Sequence, residues 1–282
     1  MKRPLRALTC GSVLALTGGF SMTASAEVVK IAFIDPLSGI LANVGQNQLK
    51  SFQYLAEKLN QKKVAGDGVT FEIVAFDNKA SPQESLTQLK AAQDQGIRYV
   101  TQGNGSGAAG AILDAINKYN ERNPDKPMLF MNYAAVDPDL TNSKCSFWHF
   151  RFDANSDMKM EALTNEIAKD KNIKKVYLIN QNYSHGQAVA RAAKEMLARK
   201  RPDIQVVGDD LHPLGQVKDF APYIAKIKQS GADTVITGNW GNDMALLVKA
   251  GKDAGLDINY YTYYAGGLGG ASAMGEAAVD HV

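Results

Sequence analysis

Between the short apolar run Tyr99-Val100 and a segment with helical composition lies Gly103-Asn-Gly-Ser-Gly-Ala-Ala-Gly110. Such a turn can bind an anion. Glycine carries no Cβ to keep a ligand off the backbone, and the first N–H groups of a helix have no partner within it. Gly105 and Ser106 are the residues assigned to that contact, Ser106 adding a hydroxyl at the helix start. Gly105-Ser-Gly-Ala-Ala-Gly110 also fits G-x-G-x-x-G, so dinucleotide binding is a competing chemistry. Its place in the third βα unit instead of the first argues against a nicotinamide enzyme, as does the export signal described below.

Other reactive residues form no constellation. Ser184 and His185 are adjacent, a spacing at which side chains on a helix do not face each other, and no G-x-S-x-G elbow is present. They read as a solvated helix start. Cys145 is alone once residues 1–26 are set aside, and reads as a packed small residue. His149, His185, His212 and His281 make no spaced metal set, so neither metal nor cofactor is expected. The strand-end loops instead share small residues (Ser106, Ala134, Ala135) in the first half and rings (Tyr183, Trp240, Tyr264) in the second. Hydrogen-bond donors on one wall and rings on the other suit a small, partly apolar anion.

Alternation of strand and helix patterns along the chain predicts where these residues sit. Strands are expected at 28–34, 69–76, from Tyr99, and at 127–133, with helices at 43–61, from the Ser81-Pro-Gln-Glu84 capping box to Gly96, and up to about Arg122. Leu49, Phe52, Leu55, Ala56 and Leu59 should form the inward face of the first helix. The pattern restarts after residues 142–153, a segment with Phe147, Trp148, Phe150 and Phe152 that reads as extended and unlike the units before it, where the crossing into a second lobe is expected. Helix 157–169, strand 175–180, a helix to about Arg201, strand 204–209, helix 219–230, strand 233–237, a helix ending at Gly255 and strand 260–264 follow. This is an α/β fold with parallel sheets flanked by helices, whose ligands sit beyond the carboxyl ends of the strands.

Composition sets the class. With 45% hydrophobic and 21% charged residues the chain is globular. Its net charge of +2 becomes −1 without Lys2, Arg3 and Arg6, so no basic surface for nucleic acid is expected. Those residues precede the apolar run Leu8–Phe20 and Ala24-Ser-Ala26, the three parts of a secretory signal cleaved after Ala26. The run is too short for a membrane span, which needs about 20 apolar residues.

The order of Ile31-Ala-Phe-Ile-Asp-Pro-Leu-Ser-Gly39, Gly96-Ile-Arg-Tyr-Val100 with its small-residue loop, Asp137-Pro-Asp-Leu-Thr141, Tyr183-Ser-His-Gly186 and Asp219-Phe220…Gly231-Ala-Asp233 resembles the extracellular solute-binding proteins of ABC transporters, in the type I, leucine/isoleucine/valine-binding family. The resemblance spans the chain after residue 26. It implies two Rossmann-like lobes joined by a hinge: residues 27–142, residues 143–270, and 271–282 as the start of a return to the first lobe, which would be incomplete. It implies a periplasmic, monomeric protein that hands a small solute to a membrane permease and is not an enzyme. By that resemblance Ser106 meets the solute carboxylate, Ala134 gives a carbonyl, Val136 stands where the family has threonine, and Tyr183 and Trp240 supply rings. Ala265 is the nearest counterpart of the glutamate that pairs the ammonium of amino-acid solutes, and Asp243 is another acid that could fill that role. Loss of the hydroxyl and the glutamate points to an aromatic or apolar acid, with branched-chain amino acids as the alternative.

Overall fold

The computed structural model describes residues 27–267 and 269–282. The cleavage reading falls on residues 1–26 and lies outside them.

Two parallel sheets carry the fold. In the first, β1 (Glu27–Asp35), β2 (Val69–Asp77), β3 (Tyr99–Gln102), β4 (Leu129–Asn132) and β5 (His149–Arg151) lie in the order β2-β1-β3-β4-β5. They are linked by α1 (Ala42–Gln61), α2 (Pro82–Asp94) and α3 (Ser106–Arg122). In the second, β6 (Lys175–Gln181), β7 (Gln205–His212), β8 (Thr234–Ile236) and β9 (Asn259–Tyr261) lie in the order β7-β6-β8-β9, with α4 (Ser156–Lys169), α5 (Ser184–Lys200), α6 (Ala221–Ser230) and α7 (Gly241–Asp253) around them. A short α8 (Gly270–Met274) follows. Each sheet reverses its winding between its first and third strands. That switch point opens a crevice at the carboxyl ends, and the two crevices face one another across a cleft.

Burial on both faces explains the near-continuous apolar strands. In β1, Ala32 and Ile34 join Val100, Ile112, Ile116 and Phe130 in the core under α2 and α3. Phe33 faces the other way, against Phe52 of α1 and Tyr133. In β6, Val176 and Leu178 enter one core and Tyr177 and Ile179 the other. Helix starts are set locally: the Ser81 hydroxyl accepts from the Glu84 N–H at 3.3 Å, and the Asn155 side chain accepts from the Met158 N–H at 2.8 Å.

Three expectations change. His149–Arg151 pairs in parallel with Phe130–Asn132, so this segment is the edge strand of the first sheet, and that sheet ends at Arg151 instead of near residue 142. The segment reads as extended in sequence, but three paired residues between Phe147 and Phe152 give no period that would assign it to the first sheet. Cys145, expected to be packed, is exposed in the turn before β5. The α1 stripe is narrower than its spacing suggested: Ala56 is buried and Phe52 packs on Phe33, but Leu55 and Leu59 are 56% and 40% exposed because α1 packs chiefly on β2.

Candidate functional site

The cleft holds a cavity of about 130 Å³ between the lobes. Its first wall is built on the loop after β3 and the loop after β4. Gly105 precedes α3 at φ +94°, a conformation glycine adopts without strain, and so lets β3 turn directly into the helix. Ser106 opens α3 and is 3% exposed. Its Oγ accepts from the Asp137 N–H at 3.1 Å, which leaves its own O–H to donate. Asn132 shapes the neighbouring loop: its Oδ1 accepts from the N–H groups of Ala134 (3.2 Å) and Ala135 (2.7 Å), and its Nδ2 donates to the Ala135 carbonyl at 2.8 Å. Ala134, Ala135 and Val136 thereby line the cavity.

The second wall comes from the loops after β6 and β8. Tyr183 and Trp240 precede α5 and α7, and the Trp240 indole donates to the Tyr183 hydroxyl at 2.8 Å. Burial pushes the Tyr183 hydroxyl well above its usual range, so it stays neutral. These helices approach the strand ends closely because glycine allows it. A Cβ at Gly186 in α5 would lie 1.8 Å from the Gln181 carbonyl, and one at Gly45 in α1 would lie 1.9 Å from the Pro36 carbonyl.

Helices α3, α5 and α7 all begin at this cavity, and none has its first turn capped by its own N-cap side chain. Their partial positive ends meet there. Among the described residues, no lysine, arginine, histidine, aspartate or glutamate lines the cavity. The arrangement offers N–H groups, amides and hydroxyls with an apolar body of alanine, valine and rings. It can hold a single negative charge without a countercharge. It offers an ammonium no carboxylate. Asp243 in α7 is fully buried and does not line the cavity; its Oδ2 accepts from Gln181 Nε2 and the Gly215 N–H, each at 2.8 Å, and its Oδ1 has no partner. Burial raises its carboxyl, with these hydrogen bonds opposing.

Of the residues expected from sequence, Gly105, Ser106, Ala134, Ala135, Val136, Tyr183 and Trp240 are brought together in this lining. Ala265 is not. β9 stops at Tyr261, and the chain turns so that Tyr264 faces the cavity while Ala265 packs on the second lobe's core. Asn43, Val44, Gln48, Gly103, Asn104 and Gly241 also line it. Gly103 and Asn104 stand in the glycine loop and were within reach of sequence reasoning, whereas Gln48 lies on α1 and nothing in its local pattern marks it. A second cavity of about 330 Å³ shares Asn104, Gly105, Tyr183 and Trp240 with the first and opens beyond them.

Two further readings are settled by position. His185 is not solvated but buried, its ring between Ser156 Oγ (2.7 Å) and the Gly238 carbonyl (3.2 Å), and desolvation lowers its pKa to about 4. The G-x-G-x-x-G match lacks the packing that gives the motif its meaning. A Cβ at Gly110 would meet nothing within 4 Å, and one at Gly107 only Pro82 at an ordinary 3.7 Å, so helix and strand are not drawn together by these glycines.

Comparison with known proteins agrees with this architecture. A family described as periplasmic binding protein matches residues 28–282. The chain is 37% identical to the Leu/Ile/Val-binding protein homolog 4 of Brucella abortus, over 98% of this chain and 66% of that protein. It therefore spans just under two thirds of the length of that relative. The Brucella ovis leucine-, isoleucine-, valine-, threonine- and alanine-binding protein in its closed conformation superposes with a TM-score of 0.73 at 35% identity, over 90% of this chain and 64% of that one. An R. palustris solute-binding protein of an ABC transporter in complex with benzoate has the same fold, with a TM-score of 0.76 at 19% identity over 89% of this chain and 66% of that one.

Proposed function

Since this chain belongs to the type I periplasmic binding proteins of ABC transporters, we propose that it binds a small monocarboxylate with an aromatic or apolar body between its lobes and delivers it to a membrane permease from the periplasm. The observation that carries this reading is the uncharged lining on which three helix N-termini converge. A carboxylate at Ser106 would take the free hydroxyl proton and first-turn N–H groups of α3, while its body lies against Tyr183, Trp240 and Tyr264. Size agrees: an apolar cavity of about 150 Å³ takes one benzene ring, and the cavity here is about 130 Å³. Solute held by both walls favours the closed arrangement of the lobes, with no covalent step.

A branched-chain amino acid is the second reading, favoured by the names of the Brucella relatives. It requires an acid at the ammonium; Asp243 does not line the cavity, and one of its carboxylate oxygens is taken by Gln181 and Gly215 while the other has no partner. An ammonium enclosed without a carboxylate loses its charge-assisted hydrogen bonds and its hydration together.

Thermal denaturation with benzoate, 4-hydroxybenzoate, leucine, valine and NAD separates these readings, because a ligand of the native state raises the melting temperature by mass action. A shift with the benzoates alone is expected. A shift with leucine or valine would favour the amino-acid reading, and one with NAD alone would refute the transport reading.

A further inference from the structure

Behind the first wall lies a polar cluster that no part of the binding scheme above uses. Asp35, at the end of β1, is fully buried. Its Oδ1 accepts from the Asn104 N–H at 2.8 Å and its Oδ2 from the Gly103 N–H at 3.2 Å, so it holds the backbone of the glycine loop. Four contacts then run from it to the cavity. The Tyr133 hydroxyl oxygen is 2.7 Å from Asp35 Oδ2 and 2.6 Å from Gln48 Oε1, and Asn104 Nδ2 is 2.5 Å from Gln48 Oε1 and 3.0 Å from the Tyr133 hydroxyl. Gln48 and Asn104 both line the cavity.

Counting hydrogens decides the protonation state. Asn104 brings two hydrogens and Tyr133 brings one, three for four contacts. Turning one amide alone sets nitrogen against nitrogen (Gln48) or oxygen against oxygen (Asn104) at 2.5 Å, and turning both replaces the two Asn104 hydrogens by two from Gln48, again three for four contacts. The missing hydrogen has one place to come from, the Asp35 carboxyl. With it, Asp35 donates to Tyr133, Tyr133 donates to Gln48, Asn104 donates to both, and every contact is filled. Without it, Tyr133 must turn its hydrogen to Asp35 and two oxygens face each other bare at 2.6 Å across from Gln48.

We propose that a proton on Asp35 fixes Gln48 and Asn104 in their places at the cavity wall, making Asp35 a positioning residue whose protonation is linked to the binding of an anionic solute. This rests on the solute reading above. Ionisation would take the Tyr133 hydrogen from Gln48, leaving it held by Asn104 alone, and would place a negative charge directly behind the Gly103–Ser106 loop, where the solute carboxylate sits, so both effects weaken binding. Burial pushes the Asp35 carboxyl up to about 7, with the hydrogen bonds from Tyr133, Asn104 and Gly103 pulling the other way. The titratable groups around it are Tyr133 on the loop after β4 and Asp77, its register neighbour on β2. Asp77 is turned to the Leu37 and Lys79 N–H groups and the Ser38 hydroxyl. Among the described residues α1 and β3 present it only amides, and no cation is paired with it.

The test is benzoate affinity by titration calorimetry from pH 6 to 8.5, on the purified protein and on Asp35→Asn, with the Asp35 carboxyl resonance followed by NMR in the ligand-free protein. Benzoate stays ionised throughout, so its own titration does not enter. The wild type should lose about fivefold or more in affinity across this range, the usual size of a coupling between two sites. Asp35→Asn keeps a donor to Tyr133 and an acceptor for the Asn104 N–H, though its NH2 cannot accept from the Gly103 N–H, and it should bind benzoate with no pH dependence. An equal slope in Asp35→Asn, or a flat profile in the wild type, overturns the linkage. An Asp35 resonance that titrates in the ordinary carboxylate range overturns the proton assignment. Benzoate bound at no pH overturns the solute reading, and the ligand-free resonance then judges the proton by itself.

Discussion

Replacing Ser106 with alanine separates the two duties assigned to one hydroxyl. Its oxygen accepts from the Asp137 N–H at 3.1 Å, and its hydrogen is free for the solute. Ser106 and Asp137 are both buried, so removing the acceptor leaves an N–H without a partner, a cost of about 1–3 kcal/mol in stability. The melting temperature should fall by several degrees. A hydrogen bond to a charged group contributes about 1.5–3 kcal/mol, so loss of the donor should weaken carboxylate binding roughly 10- to 100-fold. Binding should not vanish, because the first-turn N–H groups of α3 and the ends of α5 and α7 remain. Calorimetric titration with benzoate, well below the lowered melting temperature, reads the second effect apart from the first. Affinity unchanged within about twofold, alongside a lowered melting temperature, would show that the hydroxyl serves the loop alone and would refute the anion assignment.

Gly186→Ala drives a Cβ to 1.8 Å from the Gln181 carbonyl, a backbone atom that cannot yield, so chemical denaturation should show a loss of several kcal/mol or no folded protein. Phe130→Ala empties the centre of the first core and should cost about 3–5 kcal/mol by the same assay. His185 is held neutral with its pKa lowered to about 4, so the unfolded chain binds more protons than the native one between that value and about 6.5. Its contribution is therefore present above pH 6.5 and lost as the pH falls to 4, about 3 kcal/mol in all. Urea denaturation at pH 7 and pH 5 should show a smaller loss in His185→Gln than in the wild type. Trp240→Phe removes the donor to Tyr183 while keeping a ring, and benzoate affinity by titration should fall by roughly tenfold or less.

Local pattern carried most of the fold. The Ser81 cap, the glycine stops and the apolar runs marked elements to within a few residues, because each is a short-range consequence of its own residue types. What failed was set by distant partners. β5 exists because β4 offers it an edge, and three residues leave no period to read. Ala265 was expected at the cavity because a longer β9 was expected; the strand stops at Tyr261, and Tyr264 takes the place instead. His185 looked solvated because its burial depends on Ser156 and Gly238, 29 and 53 residues away. The Asp35 cluster is invisible in sequence for the same reason: its partners at 48, 104 and 133 meet only when α1 and two loops close over the end of β1.

The claim at the centre is that the cavity holds a carboxylate and refuses an ammonium. Titration calorimetry with leucine against 4-methylpentanoate, the same body without its amino group, tests it most directly. Binding of 4-methylpentanoate at least about tenfold tighter than leucine, or about 1.4 kcal/mol, is the expected result. Tighter binding of leucine would contradict the account, and would mean that a buried acid such as Asp243 turns to meet the solute when the lobes close.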